Sequence, residues 1–485
     1  MRRSIRFVVS RVFLTCILLS ACRHLHAQDQ PSAADAEAAM KKAARYFHSK
    51  VAVHGGYVYY YSLDLKQRLG EGKAAPQEIW VQPPGTPTVG MAFLDAWDAT
   101  DDQFFLNAAR DAANALVDGQ LESGGWQASI DFDPAGKNTG NYRSGKGRRK
   151  GTNNSSLDDD KTQAALRLLM RVDKALQFQD ERIHECVQFA LESLLKAQFA
   201  NGGFPQVWKA PVSEQPVVLA QFPNYDWRTE GRIKEYWNYY TLNDGLAGTV
   251  CETLWQAWET YHDQRYRDAV IRLGDFLILA QLPEPQPAWA QQYNYEMQPM
   301  WARKFEPAAV TGLESQDAIA TLLTISEKTG EDRFLKPIPA ALEWMKRSEL
   351  PDGRLARFYE LQTNRPLYMV RDVYELTYDD SRLPTHYGFK VGNARERLTA
   401  ELERIRDGRP KPESSPNLRS LARSAGSVIS QMDDMGRWIT TADGKPLVGQ
   451  PKLKPDEQFL SSKVFCQNLQ RLSRYIAAAR KSKDN

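Results

Sequence analysis

The sequence predicts a mostly α chain folded as an (α/α) toroid of helical hairpins, with long loops forming a groove at one end. Two observations predict it. Apolar residues recur at helical spacing in segment after segment, and no convincing set of alternating strands lies between them. The ends of the helices also repeat. Gln120-Leu-Glu-Ser-Gly124-Gly125-Trp126-Gln127 resembles Gln198-Phe-Ala-Asn-Gly202-Gly203-Phe204-Pro205-Gln206, and Gly55-Gly56-Tyr57 is a shorter third copy. Each closes a helix with paired glycines, which supply a left-handed turn, and then with an aromatic plug. Helix pairs recurring at roughly 70–80 residues suggest hairpins closed into a ring, which gathers its loops at one end.

The chain opens with a segment read as a signal peptide, residues 1–27. Arg2, Arg3 and Arg6 form a basic start, and a short apolar run follows from Val12 to Ala21. Ordinary cleavage after Ala27 is the favoured exit, with a lipid anchor at Cys22 in Leu19-Ser20-Ala21-Cys22 as the alternative. The apolar run is too short to span a membrane. The expected location is therefore periplasmic or extracellular. Removing residues 1–27 takes five arginines and no acid, which leaves 58 basic residues against 60 acidic. No basic field argues for nucleic acid. Cys186, Cys251 and Cys466 remain, too scattered for a disulfide framework or a zinc site, although one disulfide stays open.

Helices are predicted at about 34–47, 88–99, 102–121, 157–174, 181–199, 244–261, 264–281, 313–328 and 333–348. Val58 to Ser62 is at most an edge strand. Residues 28–405 are taken as the toroid. After residue 405, Asp407-Gly408-Arg409-Pro410 marks a linker, and residues 406–485 form a linker and a helical extension packing back through a helix at about 456–480. A monomer is expected.

Three long loops, 130–156, 205–243 and 283–312, are where chemistry could sit. Asp158-Asp159-Asp160 opens a helix. Capping explains one of these carboxylates, and mutual repulsion makes a cation a reasonable partner for the rest. Calcium prefers such oxygens. Asn243-Asp244-Gly245 opens another helix, with Asp244 as a cap or ligand and Asn243 a candidate to reach a ligand. Arg303 lies beside Trp301 and Phe305 ahead of a third helix start. The stretch 353–372 carries four arginines among aromatics, with no clean helical or strand period. Its guanidinium forks suit an anionic ligand, and ion pairs with Glu360 and Asp372 are the plainer reading.

Together these pieces resemble the pectate lyases of polysaccharide lyase family 10. The resemblance runs from about Gly55 to Phe389. It rests on Leu157-Asp158-Asp159-Asp160-Lys161-Thr162-Gln163, Asn201-Gly202-Gly203-Phe204-Pro205-Gln206, Leu242-Asn243-Asp244, Trp301-Ala302-Arg303-Lys304-Phe305-Glu306, and Ala356-Arg357-Phe358-Tyr359-Glu360 through to Arg371-Asp372. It implies calcium-assisted β-elimination of polygalacturonate. Arg303 then matches the base. Asp158 and Asp244 match acids that hold calcium or substrate, Asp159 beside them is taken as a further metal ligand, and Arg357 and Arg371 match clamps on uronate carboxylates. Lys161 either contacts substrate or is solvated. Two departures stand out: Gly245 replaces a second carboxylate, and Asp159-Asp160-Lys161 replaces an asparagine and small residues. The alternatives are a glycoside hydrolase of acidic or unsaturated sugars, using two carboxylates from Asp158, Asp244, Glu306 and Glu314, and a non-catalytic uronate-binding lipoprotein.

Overall fold

The structure, a computed structural model, describes residues 30–229, 232–412, 417–449 and 451–484. The leader, with Cys22 and Ala27, lies outside the described residues. Twelve α-helices are seen among the rest. They are α1 (Ala33–Tyr46), α2 (Thr86–Thr100), α3 (Gln103–Asp118), α4 (Lys161–Ala175), α5 (Glu181–Lys196) and α6 (Leu246–Tyr261). After them come α7 (Gln264–Ala280), α8 (Gly312–Thr329), α9 (Ile338–Arg347), α10 (Arg395–Arg406), α11 (Leu418–Ser430) and α12 (Ser462–Asp484).

Their packing defines the (α/α) toroid. Helices α12, α2, α4, α6, α8 and α10 follow one another as an inner wall, each packed on the next from α12 to α10. Helices α3, α5, α7 and α9 back the inner helices that precede them, and α1 and α11 back α12. Two of these elements fall where no helix was predicted, α10 at the end of the 28–405 toroid and α11 within the linker and extension of 406–485. Helix α11 presents Ala422, Ala425 and Val428 to the interior on a regular helical stripe with Leu418, Leu421 and Ile429, which the linker-like run from Pro410 to Pro416 ahead of it obscured in sequence. The C-terminal segment also pairs with the N-terminal one. Strand Gln458–Ser461 runs antiparallel to Tyr60–Ser62, with Tyr60 opposite Ser461.

The repeated turns are built alike. The Gln120 and Gln198 side chains donate to the carbonyls of Gly124 and Gly202, and each also reaches the neighbouring outer helix at Cys186 or Ala269. Gly55, Gly124 and Gly202 have φ of 84°, 101° and 91°. The following ring, Tyr57, Trp126 or Phe204, is buried. A further copy was hidden because it lacks the glycines: Gln281 donates to the carbonyls of Pro287 and Pro337, and the Trp289 indole donates to Leu277 as the Trp126 indole does to Leu116.

The connections differ by end. Turns from inner to outer helices are short, and Asp102, Asp180 and Asp263 cap α3, α5 and α7 through side-chain oxygens. Returns from outer to inner helices are long, so the loops 130–156, 205–243 and 283–312 share one end. At that end α2, α4, α6 and α8 start without a side-chain cap. Their positive dipole ends face the loops, an arrangement suited to anions. The three cysteines are buried and free, so the open disulfide is not formed. No helix among the described residues is long and apolar enough to cross a membrane.

Candidate active site

Two of the uncapped starts share one backbone shape. Before α4, Asp159 and Asp160 have φ of 47° and 62°; before α6, Asp244 and Gly245 have φ of 52° and 67°. Leu157-Asp158-Asp159-Asp160 and Leu242-Asn243-Asp244-Gly245 thus superpose in role. Gly245 stands where Asp160 stands, at a left-handed position that glycine adopts without steric cost. Each non-glycine residue in this region costs on the order of 1 kcal/mol, strain that recurs at functional sites. The capping expected of these acids is corrected: none of the carboxylates caps its helix, because the left-handed turn directs them elsewhere.

Asp158, Asp159 and Asp244 converge, each offering a ligand oxygen, all within 4.8 Å of one another. Asp160 points away to Arg167 at 2.5 Å. Burial opposes ionisation of Asp158, but the Lys161 ammonium at 2.7 Å, Gln206 at 2.5 Å and the charge of Arg303 outweigh it and hold its carboxyl low. For Asp244, burial and the charges of Asp159, Asp158 and Glu314 push the carboxyl up to about 7. Burial and Asp158 push Asp159 up too. Such crowding is what a divalent cation relieves. A further oxygen is at hand: Gln82, 5% exposed, donates to Asp159 at 3.2 Å while its own Oε1 is buried without a partner. Carboxylate and carboxamide oxygens are calcium's preferred donors, so the residues present fit that ion.

Lys161 is not a solvated side chain. It is 8% exposed and its ammonium bonds Asp158.

Arg303 is close enough that its charge favours ionised Asp158 and Asp159. Its Nε and Nη2 grip Glu306 Oε2 and Oε1 at 2.7 and 2.5 Å. Burial disfavours the charged guanidinium, but Glu306, with Tyr387 and Asp244, raises its pKa above the ordinary arginine value. The stretch 353–372 is not an irregular loop. Phe358–Tyr359 joins a small antiparallel sheet between Val310–Thr311 and Pro366–Met369. Arg357 is fixed within it, its N–H donating to Phe389 and its carbonyl accepting from Gly312. The guanidinium reaches Glu314 at 2.8 Å and Asn243 Oδ1 at 3.4 Å. Arg365 lies over Tyr378, and Glu360 accepts from Tyr378 and Thr363. Arg371 is exposed, and its Nε donates to the Leu383 carbonyl.

Three participants were not assigned these places from sequence. Glu306 and Glu314 had been considered only as hydrolytic carboxylates. Tyr387 had not been singled out. Its hydroxyl donates to Glu306 at 2.9 Å, and its ring lies 4.3 Å under the Arg357 guanidinium and 5.6 Å from that of Arg303. The Arg303 to Glu306 spacing was a visible signal; Tyr387, 84 residues beyond Arg303, offered none beyond its aromatic neighbours His386 and Phe389.

Residues 120–355 match the family model of pectic acid lyase. No curated protein matches the chain. Among solved structures, a family 10 polysaccharide lyase from Cellvibrio cellulosa is similar at 20% identity and a TM-score of 0.46, over 65% of this chain and 97% of that one. A point variant of that enzyme is described in complex with trigalacturonic acid. Cellobiose 2-epimerase from Spirochaeta thermophila is similar at 15% identity and a TM-score of 0.44, over 93% and 100%.

Proposed function

We propose that this chain, a polysaccharide lyase whose residues 120–355 match the pectic acid lyase family model, cleaves polygalacturonate by β-elimination with calcium and an arginine base. The observation that carries the reading is the meeting of Asp158, Asp159 and Asp244 with Arg303 and Arg357 at the starts of three successive inner helices.

In β-elimination a base takes the proton on C5 of a uronate. The electron pair becomes the C4–C5 double bond, and the C4–O4 bond breaks. O4 leaves with the departing chain and takes a proton from solvent. That C5 proton is weakly acidic, so the adjoining carboxylate must be neutralised before a carbanion-like state is reachable. Calcium held by Asp158, Asp159 and Asp244 would supply positive charge for this. Arg357, locked by its backbone, binds a uronate carboxylate near the reacting sugar with Asn243 beside it, and Arg371 takes a second at the exposed rim. Arg303 is the proposed base. Cations pair with Asp158, Glu306 and Glu314, which leaves Asp244 as the one candidate carboxyl of the four, short of the pair that a hydrolase needs, and this supports the lyase over that alternative.

One observation favours a second role for Arg303. Glu306 holds it protonated, which suits a cation that neutralises the substrate carboxylate while hydroxide removes the proton. Arg303→Ala should abolish turnover and keep affinity for oligogalacturonate under either role, and full activity would overturn both. Arg303→Lys separates them. A base whose pKa is lower by about two units moves the alkaline limb of kcat to lower pH, whereas a cation replaced by a cation leaves the limb in place.

A further inference from the structure

We propose that Lys161 is a built-in cation of the acidic trio that competes with calcium for Asp158, so that this chain holds calcium more weakly than the same site with an apolar residue at 161. The inference rests on the calcium reading above.

Lys161 is the first residue of α4, and its side chain is 10% exposed. A buried ammonium is costly unless a carboxylate compensates it, and Asp158 Oδ2 at 2.7 Å does so. The other oxygen of Asp158 accepts from Gln206 at 2.5 Å. Both oxygens of this ligand are therefore engaged by donors, one of them charged. A divalent cation bound among Asp158, Asp159 and Asp244 would sit beside an ammonium of like sign and share its counter-charge. The unpartnered Oε1 of Gln82, on the side chain that holds Asp159, is an independent sign that this place takes a cation. Lys161 in turn explains how three clustered carboxylates persist without one. It neutralises Asp158, while Gln82 and Asn243 each bond one oxygen of Asp159 and Asp244.

The test is a calorimetric titration of metal-stripped, full-length protein with calcium alone, for the native chain and for Lys161→Met, which keeps the unbranched stem. Lys161→Met is expected to bind calcium at least about tenfold tighter, equivalent to 1.4 kcal/mol. Asp159→Asn should lose the binding in both backgrounds, which locates it. Equal or weaker binding by Lys161→Met overturns the role of Lys161 and leaves the calcium reading intact. Absence of binding by both proteins overturns the calcium reading and this inference together. If Lys161→Met does not fold, Lys161→Gln, which can still donate to Asp158, is judged by the same criterion.

Discussion

Arg303 and Glu306, three residues apart, form a two-pronged ion pair in which both carboxylate oxygens are engaged, at 2.7 and 2.5 Å. The pair fixes where the guanidinium points and also holds it charged. Glu306→Gln keeps the shape and removes the charge. For an arginine base the sign is then set: loss of the negative neighbour lowers the arginine pKa, and the alkaline limb of kcat moves to lower pH. The maximal rate should fall about tenfold from looser orientation. Steady-state pH profiles of the two proteins decide it; an unmoved limb contradicts the base.

Tyr387 links that pair to Arg357. Its hydroxyl donates to Glu306, and its ring lies against the Arg357 guanidinium. Tyr387→Phe removes one hydrogen bond to a charged acceptor, worth about 1.5–3 kcal/mol, and keeps the ring. The expected outcome is a kcat lowered about tenfold or more with KM nearly unchanged. A rise in KM alone would make Tyr387 part of ground-state binding instead.

Arg357 and Arg371 should respond differently to truncation. Arg357→Ala leaves Glu314, which is fully buried, without its cation, so about 3–5 kcal/mol of stability should be lost along with activity. Arg371→Ala removes an exposed side chain, and the melting temperature should hardly move. If Arg371 grips substrate at the rim, KM for oligogalacturonate rises several-fold; an unchanged KM would reduce it to a solvated residue.

Metal removal should make stability depend on pH. The Asp244 carboxyl is raised from 3.8 to about 7 by burial and its acidic neighbours. The folded protein therefore binds more protons than the unfolded chain between those values, and its stability falls as pH rises through that window. A bound cation favours the ionised form and removes the slope. Melting curves in chelator should decline from about pH 4 to pH 7 relative to curves in calcium, and calcium at a hundred times its Kd should add about 2.7 kcal/mol. Parallel curves in the two buffers would contradict the metal site.

The helices from α1 to α9 were legible because apolar residues recur at helical spacing along them, and the turns because paired glycines announce a left-handed bend. Helix α11 escaped, although its apolar stripe is regular, because the proline- and serine-rich run ahead of it reads as a linker, and the copy ending in Trp289 escaped because it uses proline instead of glycine. In the site, the residues on contiguous motifs were visible: Asp158, Asp159, Asp244, Arg303 and Arg357. What escaped is pairwise. Nothing local says that Lys161 bonds Asp158 rather than water, that Glu314 balances Arg357, or that Tyr387 returns to Glu306 from 81 residues away. Strand signals failed in the arginine stretch because its strands are two to four residues long, too short for alternation to register.

β-Elimination of polygalacturonate would leave a distinctive product, since only elimination gives a C4–C5 double bond conjugated to the carboxylate. Purified protein should be incubated with polygalacturonate, in calcium or in chelator, while ultraviolet absorbance and new reducing ends are followed together. Absorbance should rise in step with reducing ends in calcium and not in chelator. Reducing ends without absorbance would mean hydrolysis and would contradict elimination.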